Sequence, residues 1–475
     1  MTEALAPDIC VIGGGPGGLS VAAAAAAFGV PTVLIERDKM GGDCLNTGCV
    51  PSKALLAIAR RADQIRTAGI FGFDAQNVPV NFQKVCDRIH KVIASVAPMD
   101  SAERFAALGV GVIRAHARFK DRKTVVAGDI EIRARRFVIA TGSTPAVSEI
   151  SGLASGPYLT NESIFDLKER PEHLIIIGAG STGLELAQAF RRLGSSVTVL
   201  EKGAPLANDD PECVDIVVGR LEREGVVIRR DVNIVGITHA GGTVTATIAS
   251  GDAEQTVTGS HLLIAAGRKP TIEGLDLGAA GIRYDATGIF VNRKLKTSNR
   301  RVYAIGDCTS GQPRLTHVAN YHAGLVIRNA LFRLPTRVKK DAVPRATYTE
   351  PELAHIGLTE AQASARRIKI RIARSAYHDN DRAHTDGEPH GHIKVITTRK
   401  GKIVGVTIVG TQAGELISMW VLAVAQRLNI RAFLDVVLPY PTLSELGKRA
   451  AVDFFAPRLT GIWVRRIIAW MRFFG

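Results

Sequence analysis

The feature that most constrains the fold of this chain is a strand–turn–helix–strand unit that occurs twice. Its first copy consists of the apolar run 9–12, the turn Gly13-x-Gly15-x-x-Gly18, a small-residue helix over 19–28, and the apolar run 32–35 ending at Glu36. Glycines let the backbone approach a pyrophosphate, the helix N-terminus holds the phosphates, and the carboxylate accepts hydrogen bonds from ribose hydroxyls. The unit therefore predicts a parallel sheet with a dinucleotide bound at the turn.

The same unit recurs in the middle of the chain. Its second copy consists of the apolar run 174–177, the turn Gly178-x-Gly180-x-x-Gly183, a helix over 184–193, and the run 197–200 ending at Glu201. Two dinucleotide sites in one chain indicate that electrons pass between two cofactors. A carboxylate at Glu201 binds a free 2′-hydroxyl and repels a 2′-phosphate, so this site is expected to favour NADH over NADPH. Lys202, the next residue, weakens that preference.

A pair of cysteines follows the first unit. Cys44 and Cys49 are expected in a Gly-rich turn ahead of a helical pattern over 53–68. Pro51 suits the first turn of that helix, where a missing N–H costs nothing. The sulfurs are then expected at the positive end of a helix dipole, which favours thiolate over thiol. The motif predicts a redox-active cysteine pair. The alternative is that both cysteines are buried and structural.

The composition of the chain limits the cellular location and the binding partners that we expect. The chain has 475 residues, enough for about three domains, and its 46% apolar and 22% charged residues are typical of a globular protein. Its six cysteines include one closely spaced pair, and no signal-peptide pattern precedes the first strand, so we expect a cytoplasmic protein. The net charge of +15 comes without a nucleic-acid-binding motif, which indicates a solvated basic surface and no nucleic-acid partner.

These features, in this order, resemble the pyridine nucleotide–disulfide oxidoreductases of the dihydrolipoamide dehydrogenase, glutathione reductase and mercuric reductase group. The resemblance covers about 8 to 455 and includes Ala140-Thr141-Gly142, Ala266-Gly267-Arg268-Lys269-Pro270 and Tyr303-Ala304-Ile305-Gly306-Asp307. It implies an α/β fold with two Rossmann-like domains, binding FAD and NAD(P)H, and a C-terminal α+β dimerisation domain. The expected domains are 1–145 with 275–343 for FAD, 146–274 for NAD, 344–455 for dimerisation, and a tail over 456–475.

The resemblance also implies roles for individual residues. Cys49 is expected against the flavin as the charge-transfer thiol, and Cys44 as the interchange thiol that meets the substrate. Lys53 is expected near the flavin N5 and paired with Glu185, for which an ordinary solvated helix carboxylate is the alternative. His317 is expected to position rather than to carry a proton. The implied FAD contacts are Gly13, Gly15, Gly18, Glu36, Lys53, Ala117, Gly142, Asp307 and Thr316, and the implied NAD contacts are Gly178, Gly180, Gly183, Glu201 and Gly267.

The C-terminal segment departs from the disulfide-reducing members of the group. Those members carry a His and, five residues later, a Glu that act from the partner subunit. In this chain Tyr440 occupies the His position and Glu445 matches the acid. A phenol with an unperturbed pKa near 10 is a poor base at pH 7, and losing the imidazole slows proton transfer by about two to four orders of magnitude. A tyrosine there is similar to mercuric reductases, but their outer cysteine pair has no counterpart after Cys308.

Three functions stay open from the sequence. One is a homodimeric mercuric reductase-like flavoprotein passing electrons from NADH through FAD and the Cys44–Cys49 disulfide to a small thiol, disulfide or soft-metal substrate. The second is a dihydrolipoamide dehydrogenase or diaphorase with another proton route. The third is a membrane-associated NADH:acceptor oxidoreductase, with a quinone or a protein as acceptor, or a redox-sensing subunit.

Two further segments lie outside these motifs. The stretch 377–394 is rich in His, Asp and Glu, but nothing in it has a tight zinc-ligand spacing, so we expect no metal site. The tail holds two tryptophans and Arg458, Arg465 and Arg472 at intervals of seven, which on one helix form a basic stripe beside an apolar face. Two interpretations stay open: peripheral contact with the inner face of a membrane through 458–474, or packing on the partner subunit or the domain core.

Overall fold

The computed structural model describes residues 3–74, 79–147, 149–251, 253–339, 342–459 and 461–474. The strands are β1 (Glu3–Leu5), β2 (Ile9–Ile12), β3 (Thr32–Glu36), β4 (Val110–Arg114), β5 (Ala117–Phe119), β6 (Val125–Ala127), β7 (Ile130–Ile132), β8 (Arg136–Ile139), β9 (Ser143–Pro145), β10 (His173–Ile177), β11 (Ser196–Leu200), β12 (Val226–Arg229), β13 (Asn233–Ala240), β14 (Thr243–Ser250), β15 (Ala253–Gly259), β16 (His261–Ile264), β17 (Arg268–Pro270), β18 (Tyr284–Asp285), β19 (Gly288–Ile289), β20 (Val302–Ala304), β21 (Arg345–Thr347), β22 (Glu352–Gly357), β23 (Ile370–Ala376), β24 (His392–Thr398) and β25 (Ile403–Gly410). The helices are α1 (Pro16–Ala27), α2 (Gly42–Asn46), α3 (Cys49–Thr67), α4 (Phe82–Val96), α5 (Ala102–Ala107), α6 (Ser181–Arg192), α7 (Pro211–Arg223), α8 (Thr316–Ala330), α9 (Glu360–Ala365), α10 (Asp381–Thr385), α11 (Ala413–Ala425), α12 (Glu445–Leu459) and α13 (Ile462–Met471).

The chain divides into two compact units. The first consists of Met1–Gly178, Arg192–Val197 and Asn233–Val338, and the second of Ala179–Arg191, Thr198–Val232 and Lys339–Gly475. The second Gly-rich motif therefore begins in the first unit and continues in the second. The three-domain division expected from the sequence stays a prediction.

A five-stranded parallel sheet organises the first unit. Its order is β20-β8-β2-β3-β4, and the apolar strands β2 and β3 are buried along their whole length. Such continuous apolar runs suit a parallel sheet that is covered on both faces. Ile12 is the register partner of both Ile35 and Ile139, and Ile139 also pairs with Ala304. The carboxyl ends of these strands therefore lie side by side, which is where α/β folds bind ligands.

Smaller sheets complete the first unit. β1, β7, β6 and β5 form one sheet, β13, β14 and β15 form an antiparallel sheet, and β10 pairs in parallel with β16. One core of apolar side chains from β2, β3, β5, β6, β7 and β8 includes the edge-to-face pair Phe119 and Phe137, whose ring centroids are 5.6 Å apart. This core supports the strands whose ends carry the first Gly-rich turn.

The second unit contains an antiparallel sheet in the order β21-β22-β25-β24-β23. Helices α11 and α12 contribute to its core, where Trp420 stacks on Phe433 with ring centroids 4.1 Å apart. β23, β24, β25 and α11 supply strands and a helix of the kind that an α+β dimerisation domain contains. The predicted fold class is confirmed for this part of the chain.

The described residues contain no helix that is both long enough and apolar enough to cross a membrane.

Candidate active site

The first Gly-rich turn has the backbone shape that close approach to a pyrophosphate requires. Gly13 has φ +109°, and a Cβ added there would lie 2.4 Å from the Ala140 carbonyl oxygen. A Cβ at Gly18 would lie 1.9 Å from the Gly13 oxygen, whereas one at Gly15 would meet no atom within 4 Å. α1 begins directly after Gly15, so the N-terminus of the helix starts beside this open space. The turn therefore fits the phosphates of a dinucleotide.

Glu36 ties this turn to the end of β3. Its carboxylate accepts hydrogen bonds from the Gly14 N–H at 2.5 Å and the Asp38 N–H at 2.8 Å. Glu36 is only 9% exposed, and each carboxylate oxygen keeps a further lone pair for a ribose hydroxyl. Glu36 thus stabilises the turn and still has lone pairs that could accept hydrogen bonds from a ribose.

The second Gly-rich turn repeats this geometry. Gly178 has φ +107°, and a Cβ there would lie 2.7 Å from the Ala265 oxygen. Glu201 accepts hydrogen bonds from the Ala179 N–H at 2.6 Å and the Gly203 N–H at 3.0 Å. A Cβ at Gly180 would meet no atom within 4 Å, and Gly183 is buried. The two turns therefore share the same local geometry, as the sequence predicts.

The cysteine segment is attached to the first turn through two glycines. The Gly41 N–H donates to the Gly14 carbonyl at 2.9 Å, and Gly41 has φ +84°. A Cβ added at Gly42 would lie 2.9 Å from the Gly15 Cα. Because the two backbones touch, the cysteines lie next to the place where the turn would bind a dinucleotide.

Cys44 and Cys49 lie on two consecutive helices rather than in an open turn. Cys44 is in the short helix α2, and α3 begins at Cys49 itself instead of near residue 53, with Pro51 in its first turn as predicted. The expectation of a turn around Cys44 was wrong, because residues 42–46 close one helical turn. The Cys49 sulfur lies 3.4 Å from the Thr316 hydroxyl, at the first residue of α8. Two helix N-termini, which carry partial positive charge, therefore meet at this sulfur.

The two thiols differ in acidity. A hydrogen bond from the Cys44 thiol lowers the pKa of Cys49 to about 6, and the Thr316 hydroxyl and the Lys53 charge act in the same direction. The same hydrogen bond, with burial, raises the pKa of Cys44 above its ordinary value. At neutral pH the pair therefore holds a thiolate at Cys49 and a thiol at Cys44. The thiolate character expected for both sulfurs applies to Cys49, because two adjacent negative sulfurs repel each other.

Lys53 and Glu185 belong to different units. Lys53 is one turn beyond Cys49 on α3, and its charge is among the causes that lower the pKa of Cys49. Glu185 is 4% exposed on α6 and accepts a hydrogen bond from the Tyr348 N–H at 2.9 Å. It is therefore not an ordinary solvated helix carboxylate. The pairing of Lys53 with Glu185 stays a prediction.

An arginine that the sequence analysis did not single out joins the cysteine segment to Asp307. Arg268 lies 3.1 Å from the Asp43 carboxylate, and Asp43 directly precedes Cys44. Its Nε donates to the Ser143 hydroxyl at 2.7 Å, and that hydroxyl donates to Asp307 at 2.7 Å. Asn161 donates to Asp43 at 2.9 Å. A polar chain thus connects the residue beside Cys44 to the carboxylate at the end of β20.

Asp307 and its neighbours occupy the carboxyl edge of the five-stranded sheet. Burial raises the pKa of Asp307, while its hydrogen bond from Ser143 opposes that effect. Gly142 has φ +70°, and a Cβ there would meet no atom within 4 Å. Ala117 is 4% exposed at the start of β5, so any contact with a cofactor would come from its backbone. Gly267, with φ +123°, accepts a hydrogen bond on its carbonyl from the Ala146 N–H at 2.9 Å.

Tyr440 and Glu445 lie in the second unit. Tyr440 is 70% exposed, and its hydroxyl donates a hydrogen bond to Asp381 at 2.6 Å. That hydrogen bond raises the pKa of Tyr440, so even less phenolate is available at neutral pH to act as a base. Glu445 begins α12 and accepts a hydrogen bond from the Thr442 N–H at 3.3 Å. Asp381 was part of the polar stretch 377–394, but its partnership with Tyr440 has no local sequence signal.

The acidic and histidine-rich stretch forms ordinary polar contacts. His384 hydrogen-bonds the His378 carbonyl at 2.7 Å, and Arg382 pairs with Asp386 at 2.7 Å. Within the described ranges, no group of three or more His, Cys, Asp and Glu side chains is arranged to hold a metal ion. His317 is an exposed residue at the second position of α8.

Sequence comparison places the chain among redox flavoproteins. The profile described as pyridine nucleotide-disulphide oxidoreductase matches residues 7–323, and the dimerisation domain of the same name matches 343–451. Mercuric reductase of Streptomyces lividans is 32% identical over 94% of this chain and 96% of its own length. Dihydrolipoyl dehydrogenase of Bacillus subtilis (strain 168) is also 32% identical, over 94% of this chain and 95% of its own.

Structural comparison points to the same kind of protein. The Cu(II) complex of the HOCl-induced flavoprotein disulfide reductase RclA from Escherichia coli superposes with a TM-score of 0.84 at 25% identity. The match covers 96% of this chain and 100% of that structure. The likeness therefore extends over both units rather than over a single nucleotide-binding motif.

Proposed function

This chain belongs to the pyridine nucleotide-disulphide oxidoreductase family, and we propose that Cys44 and Cys49 form its redox-active disulfide. The fold, the enzyme class, and the cofactor FAD with NAD(P)H as electron donor are confirmed as predicted from the sequence. The protein is thus a FAD-dependent disulfide oxidoreductase. Bound FAD supplies the redox chemistry: hydride uptake from NAD(P)H and two-electron reduction of the disulfide.

The first Gly-rich turn and the edge beside it fit the FAD molecule. The N–H groups of the Gly13–Gly18 turn bind the pyrophosphate, and Glu36 accepts hydrogen bonds from a ribose. In this proposal Cys49 would face the bound flavin and Cys44 would meet the acceptor. The remaining FAD contacts in this proposal are Lys53, Ala117, Gly142, Asp307 and Thr316.

The second Gly-rich turn is proposed to bind NADH in preference to NADPH. The N–H groups around Gly178, Gly180 and Gly183 are proposed to bind the phosphates, and Gly267 is the remaining NAD contact in this proposal. Glu201 is already hydrogen-bonded to two backbone N–H groups, and a carboxylate fixed in that place repels a 2′-phosphate.

The proposed acceptor is a soft metal ion bound as a thiolate complex, or a small disulfide, as in mercuric reductase-like enzymes. The observation that carries this proposal is the contrast between a thiolate at Cys49 and a phenol whose pKa is raised at Tyr440. Transfer of a thiophilic metal needs thiolate ligands and little proton transfer. Reduction of a disulfide such as lipoamide is accelerated by a general base, which Tyr440 supplies poorly, so a metal complex is the favoured acceptor.

The active site is proposed to be complete only in a homodimer. The match to the family's dimerisation domain supports a homodimer. Tyr440 and Glu445 would then act at the Cys44–Cys49 pair of the partner subunit. A fully active monomer in analytical ultracentrifugation, measured at the enzyme concentration of the assay, would contradict this arrangement.

The proposed location is the cytoplasm, with peripheral contact at the inner face of the membrane through 458–474. The C-terminal helix exposes an apolar surface flanked by arginines. Such a segment suits the membrane interface.

Anaerobic NADH oxidation by the FAD-loaded enzyme tests the acceptor. Hg(II) and Cu(II), each presented as a thiol complex, lipoamide and a quinone are offered separately. We expect the metal complexes to support turnover and lipoamide to be reduced at least about a hundredfold more slowly than imidazole-assisted exchange allows. Lipoamide reduction at ordinary dehydrogenase rates would favour the dihydrolipoamide dehydrogenase interpretation instead.

Two cysteine variants provide matched controls for that assay. Cys44→Ser is expected to abolish reduction of metal complexes and disulfides while leaving direct quinone reduction by flavin. Cys86→Ser replaces a buried thiol that donates to the Leu167 carbonyl at 2.8 Å, a bond that a hydroxyl reproduces. It is expected to leave all activities unchanged. Equal loss in both variants would contradict a specific role for Cys44.

A further inference from the structure

The C-terminal helix α13 is strongly apolar yet contains no buried residue. Trp463 is 71% exposed, Trp470 65% and Met471 59%. Ile467 and Ile468 are each more than half exposed. Large apolar side chains are seldom left in water as a continuous patch without a partner. The helix therefore has a surface that requires a second component.

Ile462, the first residue of α13, is exposed on the opposite side of the helix from the other large apolar residues. Six further apolar side chains, of which Val464 is half-buried, lie together on one face of the helix. At 3.6 residues per turn they span an arc of about 160°. The residues of this arc, here called the tryptophan face, are Trp463, Val464, Ile467, Ile468, Trp470 and Met471.

Arginines lie at both borders of the tryptophan face. Arg465 flanks one side, and Arg466 flanks the other with its guanidinium carbon 5.4 Å from the Trp463 ring centroid. Arg472 follows the last helical residue. Arginine bordering an exposed tryptophan suits a surface where apolar tails meet anionic headgroups.

The basic stripe expected from the sequence is interrupted. α12 ends at Leu459 and α13 begins at Ile462 after Gly461, so Arg458 is not on the same helix as Arg465. The side chain of Arg458 lies outside the described part. Arg465, Arg466 and Arg472 therefore form the basic border.

The helix lies outside the part of the chain that the family shares. The dimerisation domain of the family ends at residue 451. No acidic residue follows Asp453 in the sequence. A surface that is only basic and apolar, beyond the shared domain, is complementary to an anionic and apolar partner.

The charge of α13 indicates whether its partner is a membrane or a second copy of this chain. A second copy has the same net charge of +15, so on average it repels the arginine border. Anionic phospholipids attract that border and also accept the indole rings at the headgroup level. The ten-residue helix is about 15 Å long, roughly half the hydrocarbon thickness, so it lies in the interface rather than crossing it.

We propose that α13 docks the enzyme onto anionic phospholipid membranes. The tryptophan face enters the boundary between headgroups and acyl chains, and the arginine border contacts lipid phosphates. This inference deepens the peripheral contact in the proposed function and rests on it for the location alone. It is independent of which electron acceptor the enzyme uses.

Vesicle flotation of the full-length, FAD-loaded enzyme tests the docking. We expect binding to phosphatidylcholine–phosphatidylglycerol vesicles to exceed binding to pure phosphatidylcholine by about tenfold or more, and to fall as salt is raised. A form ending at Leu459, which keeps α12 whole, should lose the binding. Equal partitioning of the full-length and shortened forms would overturn the proposal.

Matched variants separate the arginine border from net charge. Arg465→Glu, Arg466→Glu and Arg472→Glu together should abolish binding to anionic vesicles. Lys369→Glu, Arg399→Glu and Lys400→Glu make the same change of charge at exposed positions of the second unit and should keep most of it. Equal loss in both triple variants would refute a specific border.

A further pair of measurements excludes dimer packing as the role of the face. Trp463→Ser with Trp470→Ser should weaken vesicle binding while leaving the dimer intact in sedimentation. If full-length enzyme ignores vesicles and the shortened form dissociates, the face packs on a second copy and the proposal is wrong. Flotation is done without NADH or acceptor, so a wrong acceptor assignment leaves its result unchanged.

Discussion

The Arg268 guanidinium lies 3.1 Å from the carboxylate of Asp43, the residue that directly precedes Cys44. Arg268 also donates to the Ser143 hydroxyl and the Ser143 carbonyl, each at 2.7 Å. Asp43 raises the pKa of both Cys44 and Cys49 through its charge. Arg268 therefore acts on the cysteine pair indirectly, by offsetting the charge of Asp43, and is a positioning residue.

Replacing Arg268 should make the Cys49 thiolate harder to form. In Arg268→Gln the Asp43 charge is no longer offset, so the pKa of Cys49 rises, by less than about one unit because the ion pair is partly solvated. The pH dependence of Cys49 alkylation in the reduced enzyme measures it. Asp43→Asn should shift the pKa in the opposite direction, and the double variant should lie near the wild type. A shift of the same sign in both single variants would contradict the electrostatic coupling.

Removing Cys44 should raise the pKa of its partner. The hydrogen bond from Cys44 is the largest cause of the lowered pKa of Cys49, which is about 6. In reduced wild type, Cys49 alkylation should therefore reach its plateau above about pH 7. In Cys44→Ala the midpoint should move toward the ordinary thiol range. Thr316→Val, which removes the weaker hydrogen bond, should move it less; an unchanged midpoint in both variants would count against this account.

Tyr440→His should restore disulfide exchange without helping metal reduction. An imidazole titrates near neutral pH, so lipoamide turnover is expected to rise by about ten to a thousandfold. Tyr440→Phe should leave lipoamide turnover low, because the phenol, with its pKa raised by Asp381, contributes little as a base. Steady-state rates with lipoamide and with a Hg(II)–thiol complex measure the contrast. Comparable gains with both substrates would show that Tyr440 acts on something other than proton transfer.

A buried cluster of charged side chains should contribute to the stability of the second unit. The Lys394 side chain is 4% exposed and lies 2.8 Å from Asp210, which is 3% exposed, and 3.0 Å from Glu212. Lys394 also pairs with Glu360. Lys394→Met leaves the Asp210 carboxylate buried without its cation, so the free energy of unfolding should fall by about 3–5 kcal/mol. Urea denaturation measures it.

The matched control for that variant is Lys400→Met at an exposed position of the β24–β25 turn. It should change the free energy of unfolding by less than about 0.5 kcal/mol. Arg374 also pairs with Glu212, at 2.9 Å. A small effect of Lys394→Met as well would mean that water or a rearranged Arg374 replaces the lost cation.

The sequence was sufficient for the parts of this protein that depend on local pattern. Gly13 and Gly178 were predicted as turn glycines, and each has φ close to +108° because only glycine tolerates that conformation beside a neighbouring carbonyl. Glu36 and Glu201 were predicted at strand ends, and both bind the turn that precedes their strand. The fold class, the FAD cofactor and the enzyme class followed from the family resemblance that these motifs and the cysteine pair carry.

The tertiary structure determines the electrostatic environment of the cysteine pair and the exposure of the C-terminal helix. Arg268 and Asp43 are far apart in the chain, so no sequence spacing shows that their charges offset each other. Asp381 likewise meets Tyr440 only after the second unit has folded. Whether an apolar helix packs in a core or stays at the surface depends on burial, and no side chain of α13 is buried in the described part of the chain. Local pattern specifies turns and strands, whereas charge coupling and exposure depend on which distant residues meet in space.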